Sequence, residues 1–335
     1  MGEHWRDELA GSSLYHRHRG DADHSESVRI LAIDGGGIRG IIPALILAEI
    51  EARTGRRAAE LFDFIAGTST GAILALGAST PGPDGRSKWA ARDGVDLYAT
   101  RGREIFAKGH FSVGLFHEKY HHESLEHVLD DTFGDVMLSE AIVHCMATAY
   151  SLRLREVHHF DSDEAKRDPN WDFKMQTVIR AATAAPTFFE PAKIHSADDA
   201  EHLLLDGALY ANNPAMIAFV EATRGGADDV IVVSLGTGDE VEAMHWEQVK
   251  DWGLAQWARP ILNVLFDAMG ESIDYQLRHL LGPERYHRFQ VPLDEGSHHL
   301  DDASDANIEA LMRDAAQLVR TQEREFDQLC EKLVR

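Results

Sequence analysis

The chain has 335 residues, 44% hydrophobic and 27% charged, a balance typical of a globular protein with one large or two moderate cores. Its formal net charge of −23 argues against binding DNA, RNA or anionic membranes through a basic patch. Two cysteines, Cys145 and Cys330, provide neither a disulfide framework nor a metal-binding spacing and indicate a reducing, cytoplasmic compartment. No run of about 18 apolar residues occurs, so no transmembrane helix is expected.

The first residues are polar and lack the apolar core of a secretory signal. We expect residues 1–27 to form a partly disordered lead, and we interpret the histidine and arginine cluster at 16–19 as part of a solvated tail rather than a metal or phosphate site. One domain is expected over residues 28–240. A helical extension packed on that domain is expected over residues 241–335.

Two successive strand–turn–helix units are predicted near the start of the ordered chain. The first has a strand at 29–33, a glycine-rich turn and a helix at 41–53. The second has a strand around 62–66, a sharp turn and an apolar helix at 70–78. Such units imply right-handed crossovers, so the sequence predicts an α/β fold with a mostly parallel sheet.

Further elements follow along the chain. Strands are predicted in "EAIVHCMATAYSL" and "LREVHHF", and a helix is predicted to stop at Pro186. A strand ending at Asp206 precedes a helix that Asn213 and Pro214 open, and "DDVIVVSLGTG" is the last clear parallel-type strand.

The segment "GTSTG" has the spacing G-x-S-x-G between an apolar strand and an apolar helix. In that setting Ser69 would stand at the positive end of a helix dipole, with Gly67 and Gly71 allowing neighbouring chain to approach. We therefore predict that Ser69 is a nucleophile. The alternative is a small-residue turn with no chemistry.

The segment "DGGGIRG" places Gly35, Gly37 and Gly40 at the G-x-G-x-x-G spacing of a dinucleotide-binding loop. A dinucleotide site needs an acidic residue at the end of the second strand, but Asp63 lies at its start, and the lysine of a P-loop is absent. If the two strands are adjacent, both turns lie at one sheet edge, so the glycine N–H groups suit an oxyanion hole facing Ser69. Non-hydrolytic nucleotide binding is kept as the alternative function.

A serine nucleophile needs a base, and Asp206 is the best candidate because it ends an apolar strand and is followed by glycine. Apolar surroundings would raise its pKa toward a value suited to proton transfer. The alternative is an ordinary Asp-Gly turn. A triad histidine such as His245, His279 or His287 is left open, and the paired histidines are interpreted as surface residues rather than metal ligands.

In chain order, "DGGGIRG", "GTSTG", "AATAAPTFFEP", "DGA" and "SLGTG" resemble the patatin-like phospholipase family over residues 28–240. The resemblance implies a three-layer α/β fold and a lipid acyl hydrolase that needs no cofactor or metal. It implies a Ser69–Asp206 dyad without histidine and an acyl-enzyme intermediate. The further site residues that it implies are an oxyanion hole at Gly35, Gly36, Gly37, Arg39 and Gly40, and support of the elbow and dyad by Gly67, Gly71, Gly207 and Ala208.

The resemblance also implies a membrane phospholipid or other glycerolipid as substrate, reached by transient peripheral contact from the cytoplasm. Some bacterial members that the chain resembles are anti-phage effectors, which raises a cyclic oligonucleotide activator as a hypothesis. Trp246, Trp252 and Trp257 have a spacing that suits a membrane-contact rim or a lid, but packing against the core is the favoured interpretation.

Overall fold

The computed structural model describes residues 27–107, 120, 122–239, 243–257 and 260–335. Its strands are β1 Val28–Ile33, β2 Phe64–Thr68, β3 His144–Ser151, β4 Glu156–Asp161, β5 Ala192–His195, β6 Glu201–Asp206, β7 Val230–Leu235 and β8 Tyr286–Phe289. The first helices are α1 Ile41–Thr54, α2 Ala58–Leu61, α3 Thr70–Ser79, α4 Ala91–Ile105, α5 His122–Phe133, α6 Ser162–Ala165 and α7 Met175–Ala182. The later helices are α8 Ala208–Ala211, α9 Ala215–Arg224, α10 Trp246–Val249, α11 Leu254–Trp257, α12 Pro260–Leu281, α13 Asp305–Thr321 and α14 Glu323–Val334.

The strands form one sheet whose central part is parallel. β3, β2, β1, β7 and β8 pair in that order, each parallel to the next. β4, β5 and β6 make antiparallel pairings on the β3 side. The predicted mostly parallel sheet is confirmed, and β1 and β2 are neighbours with Ile33 opposite Gly67.

Helices cover both faces of this sheet, because side chains along β1 alternate between two cores. Leu31 and Ile33 face a large core shared with α1, α3, α4, α5, α7, α13 and α14. Ile30 and Ala32 face a smaller core shared with α9 and α12. The predicted three-layer α/β class is therefore confirmed. None of the helices in the described part of the chain is long and apolar enough to cross a membrane.

β2 and β6 lie end to end along the same edge of β3. Thr148 of β3 pairs with Thr68 of β2, whereas the next residue, Ala149, pairs with Asp206 of β6. The other edge of β3 is occupied throughout this stretch by β4. Because β6 runs antiparallel to β3, the C-terminal ends of β2 and β6 meet head to head.

Several sequence predictions need correction. The second strand begins and ends two residues later than predicted, and the helix predicted to stop at Pro186 ends at Ala182 because the chain turns at Thr183. The segment 241–335 is not wholly helical, since β8 pairs with β7 and extends the sheet past the expected domain boundary at residue 240. The lead 1–26 and its cluster at 16–19 lie outside the described residues.

Candidate active site

Ser69 lies between β2 and α3 in a conformation that L-residues rarely adopt. Its backbone has φ 53° and ψ −121°, and the helix begins at the next residue, Thr70. A side chain at Gly67 would overlap the Gly71 carbonyl, and one at Gly71 would overlap the Ile33 carbonyl of β1. The glycines thus let α3 start directly against two strands, and that packing holds Ser69 in its strained turn.

Asp206 ends β6 and is buried, with 1% of its surface exposed. Burial raises the pKa of its carboxyl to about 7, while hydrogen bonds from the Ser69 hydroxyl and from the Ala208 N–H act in the opposite direction. The Ala208 N–H lies 2.8 Å from Oδ1. A carboxyl with a pKa near neutrality and a bonded hydroxyl can serve as a general base.

A buried hydroxyl cluster holds the two strand ends together. Thr68 Oγ1 lies 2.7 Å from Thr148 Oγ1 and donates to the Ala211 carbonyl at 2.6 Å. A side chain at Gly207 would overlap Thr148, so glycine allows the turn after Asp206 to cross β3 closely. These contacts hold the end of β6, which carries Asp206, beside the end of β2 and Ser69, although the two strands are far apart in the sequence.

Gly36 and Gly37 line the same cavity as Ser69 and Asp206. Neither N–H makes a hydrogen bond to another described residue. Gly35 differs from the expectation: its N–H donates to the Asn212 carbonyl at 2.9 Å, and Thr237 Oγ1 donates to its carbonyl at 2.6 Å. Gly35 therefore anchors the loop and does not supply an oxyanion donor.

Two more expected members of the oxyanion hole also lie elsewhere. Gly40 packs against the Thr70 and Tyr98 side chains at the base of α1, where a Cβ would overlap them. Arg39 lines a neighbouring polar cavity rather than the cavity that contains Ser69. Of the five residues expected in the oxyanion hole, Gly36 and Gly37 are the two that line the cavity containing Ser69.

The cavity at Ser69, together with the open space in front of it, measures about 800 Å³. Its walls are mostly aliphatic and aromatic, from Ile73, Ile105, Phe106, Leu125, Phe188 and Phe189. The segment "AATAAPTFFEP" thus supplies a wall, a role that sequence reasoning did not assign. An apolar lining of this kind suits an acyl chain.

No histidine in the described part of the chain lines this cavity. His245 is exposed before α10, and His279 is exposed on α12, with its Nδ1 2.6 Å from the Tyr275 carbonyl. His287 is buried on β8, and burial lowers its pKa. The structure therefore gives no support to any of these three histidines as the histidine of a catalytic triad.

The features expected of other sites also differ. Asp63, at the start of β2, pairs with Arg29 at 3.3 Å on the sheet edge opposite Ser69, so it cannot act as a ribose ligand beside the glycine loop. Within the described ranges, no group of three or more His, Cys, Asp or Glu side chains is arranged to hold a metal ion. The interpretation that the tryptophans pack against the core is wrong for Trp246, which is 72% exposed. Trp252 and Trp257 pack against each other in an edge-to-face arrangement.

Comparison with known proteins agrees with this fold and these motifs. A family model described as patatin-like phospholipase matches residues 31–219. The chain is 32% identical over 290 residues to patatin-like protein 2 of Arabidopsis thaliana, covering 75% of this chain and 71% of that protein. It is 31% identical over 328 residues to Patatin-07 of Solanum tuberosum, covering 88% of this chain and 84% of that protein.

Among solved structures, human GIVD cytosolic phospholipase A2 matches with a TM-score of 0.46 and 11% identity, covering 92% of this chain and 60% of that one. The family model and the curated relatives together define the class: the chain belongs to the patatin-like phospholipase family. It is accordingly a carboxylic ester hydrolase of the lipid acyl hydrolase class.

Proposed function

We propose that the protein cleaves fatty-acyl esters of membrane glycerolipids through a Ser69–Asp206 dyad. The observation that carries the proposal is a serine held at φ 53° that lines one cavity with a buried carboxyl, whose pKa burial raises to about 7. A cavity with mostly apolar walls opens onto the same two side chains. Together these features supply a nucleophile, a base and a place for the substrate.

The reaction proceeds in two halves. The Asp206 carboxylate accepts the Ser69 hydroxyl proton as Oγ attacks the ester carbonyl carbon, and the tetrahedral intermediate expels the lysolipid alcohol, which takes that proton. Asp206 then removes a proton from water, and the hydroxide attacks the acyl-enzyme. The fatty acid leaves, and Ser69 regains its proton from Asp206.

The N–H groups of Gly36 and Gly37 stabilise the oxyanion in both halves. They line the cavity beside Ser69, and the loop that carries them is fixed on both sides of the Gly35 peptide by Asn212 and Thr237. A preorganised donor of this kind contributes about 3–4 kcal/mol to transition-state stabilisation.

Measured release of free fatty acid from phospholipid vesicles tests the dyad. We expect Ser69→Ala and Asp206→Asn each to lower release by at least about 10³-fold, because each removes one half of a proton-transfer pair. Thr223→Ala is a matched control, since this hydroxyl bonds only within α9, and it should retain full release. Release that either dyad variant leaves undiminished would exclude the proposed dyad.

We also propose that exposed apolar side chains near the cavity mouth make the transient membrane contact. Leu209 is 37% exposed and Phe266 is partly exposed, and both line the cavity. Exposed apolar side chains also occur among the described residues that precede Phe266 in the sequence, with Leu254 94% and Trp246 72% exposed. Apolar contact suits a chain whose net charge of −23 opposes anionic attraction. An apolar contact also fits a cytoplasmic enzyme that docks transiently on the membrane.

Replacing Trp246 and Leu254 by glutamine tests this contact. The double variant should release fatty acid from vesicles several-fold more slowly but should hydrolyse a water-soluble butyrate ester at the wild-type rate. Equal slowing on both substrates would contradict a membrane role.

Activation by a cyclic oligonucleotide stays a prediction. Activity on vesicles that is constitutive and unaltered by added cyclic dinucleotides or trinucleotides would exclude it. The alternative of non-hydrolytic nucleotide binding predicts equilibrium binding of NAD or ATP, and we expect none.

A further inference from the structure

A second cavity adjoins the apolar cavity, and Asn212 and Phe266 line both. Its floor is formed where the central strands end, with Asp34 after β1 and Asp239 after β7. Its wall is one face of α12, where polar side chains recur with helical spacing at Asp267, Glu271, Asp274 and Arg278. The glycine loop thus has an apolar cavity on one side and a polar one on the other. We call the polar one the headgroup cavity.

The headgroup cavity carries more negative than positive charge. Five carboxyl groups line it, against the three guanidinium groups of Arg39, Arg278 and Arg288. Arg288 is bound to Asp34 at 2.7 Å, and Arg278 is bound to Asp274 at 2.6 Å. A lining with more carboxyl than guanidinium groups favours a cationic group over an anionic one.

Asp34 gives a second and independent indication of a ligand. It is 2% exposed, and its Oδ2 accepts the hydrogen bond from Arg288. Its Oδ1 is buried and has no hydrogen-bond partner in the part of the chain that the structure describes. Burial raises the pKa of Asp34 to about 6, which leaves the carboxyl mostly ionised at neutral pH. Buried carboxyl oxygens are rarely left without a donor.

We propose that the headgroup cavity receives the ammonium end of a zwitterionic glycerophospholipid with an ethanolamine headgroup, whose N–H groups are hydrogen-bond donors, while the acyl chain occupies the apolar cavity. The inference rests on the proposed function and names its substrate class. Because the two cavities meet beside the glycine loop, a lipid ester at Ser69 would have its chain on one side and its headgroup on the other. An anionic glycerol headgroup would instead meet the excess of carboxyl groups.

Monomeric short-chain lipids provide the test, since the net charge of −23 would itself repel anionic vesicles and obscure headgroup selection. Initial rates are measured on dihexanoyl phosphatidylethanolamine, phosphatidylcholine and phosphatidylglycerol below their micellar concentrations. Rates are normalised to hydrolysis of p-nitrophenyl butyrate, which has no headgroup. We expect the wild type to prefer the ethanolamine lipid to the glycerol lipid by about tenfold or more, equivalent to about 1.4 kcal/mol, and to prefer the choline lipid, which has no N–H group, less strongly.

The double variant Asp267→Asn with Glu271→Gln removes two charges from the α12 wall. Its preference should fall about tenfold toward equality. Glu309→Gln with Glu331→Gln removes two charges from exposed positions on α13 and α14 that line neither cavity, and this control should keep the wild-type preference. A wild type that prefers the glycerol lipid, or a wall variant with unchanged preference, would overturn the inference.

Binding to the Ser69→Ala protein separates this inference from the proposed chemistry. Glycerophosphoethanolamine should bind at least several-fold more tightly than glycerophosphoglycerol, and the wall substitutions should abolish the difference. Equal binding of the two compounds would overturn the headgroup assignment even if ester hydrolysis is observed. Selective binding by a protein whose wild type hydrolyses none of the esters would instead refute the proposed function.

Discussion

The two halves of the candidate site are built in different ways. Ser69 and the glycine loop come from consecutive βα units whose parallel strands are neighbours, and backbone strain places the serine. Asp206 comes from a distant antiparallel strand and is held by burial and by its register against β3. Backbone strain at Ser69 raises the free energy of the folded state in one half, and desolvation of the Asp206 carboxyl raises it in the other. These two costs lead to different predictions.

The largest expected effect is on stability and comes from the burial of the Asp206 carboxyl. Because the pKa of Asp206 is about 7 in the folded protein and about 3.9 in an unfolded chain, the folded state retains a proton that the unfolded state loses between these values. Stability is therefore lost as pH rises through this window. Asp206→Asn removes the penalty, so we expect it to gain up to about 4 kcal/mol at pH 8 in urea unfolding.

That gain should shrink as pH falls from 7 toward 4. Asp135→Asn is the control. Lys174 lowers the pKa of this exposed carboxyl, so the substitution removes a favourable pair and should not stabilise the folded state. A gain at Asp206→Asn that does not depend on pH would show that desolvation of the charged carboxyl is not its origin.

Next in size is an effect on the loop. Gly37 has φ 57°, and a Cβ there would overlap the Leu300 carbonyl. Gly37→Ala should displace the loop and lower kcat by about 10²-fold, the cost of losing an oxyanion donor. Gly85 also has positive φ, but its surroundings are open, so Gly85→Ala should lose some stability and no activity. Similar kcat values for these two variants would contradict the oxyanion assignment.

A smaller effect is expected in the pH profile of kcat/KM. Only the ionised Asp206 carboxyl can accept the Ser69 proton, and its pKa is raised to about 7 by burial. The rate on a soluble butyrate ester should rise about tenfold per pH unit below 7 and level off above it. A profile that is flat between pH 5 and 8 would argue that a different group is the base.

The smallest effect tests the strain at Ser69. Glycine adopts φ 53° without cost, whereas alanine does not, so Ser69→Gly should be more stable than Ser69→Ala by about 1 kcal/mol. Thermal unfolding of the two inactive variants measures this difference. Equal stability would mean that the turn after β2 is not strained.

The same contrast explains what could be predicted from the sequence. The glycine loop and the Ser69 elbow are local patterns, so their elements and their meeting at one sheet edge were predictable. The structure places Asp206 in the same cavity as Ser69, but not for the reason that the sequence suggested: β6 is not one of the parallel strands, and it reaches the site from the opposite direction. Strand direction depends on distant pairing that no local pattern carries.

Other features depend on contacts between distant segments. Gly35 anchors the loop and does not supply an oxyanion donor, because its N–H bonds to the Asn212 carbonyl. Arg39 faces the polar cavity because α12 packs there. The short strand β8 has only four residues, too few for a clear alternation pattern within a largely helical region. The acidic face of α12 is visible as i, i+4 and i+7 spacing, but only the fold shows what it faces.

Labelling with a fluorophosphonate tests the central claim most directly, because the probe forms a covalent bond only with an activated nucleophile. Peptide mass analysis of the wild type should find the label on Ser69, formed faster above pH 7 than below it. Asp206→Asn should label at least about 10²-fold more slowly. Label on another residue, or equal labelling of the wild type and Asp206→Asn, would contradict a serine activated by Asp206.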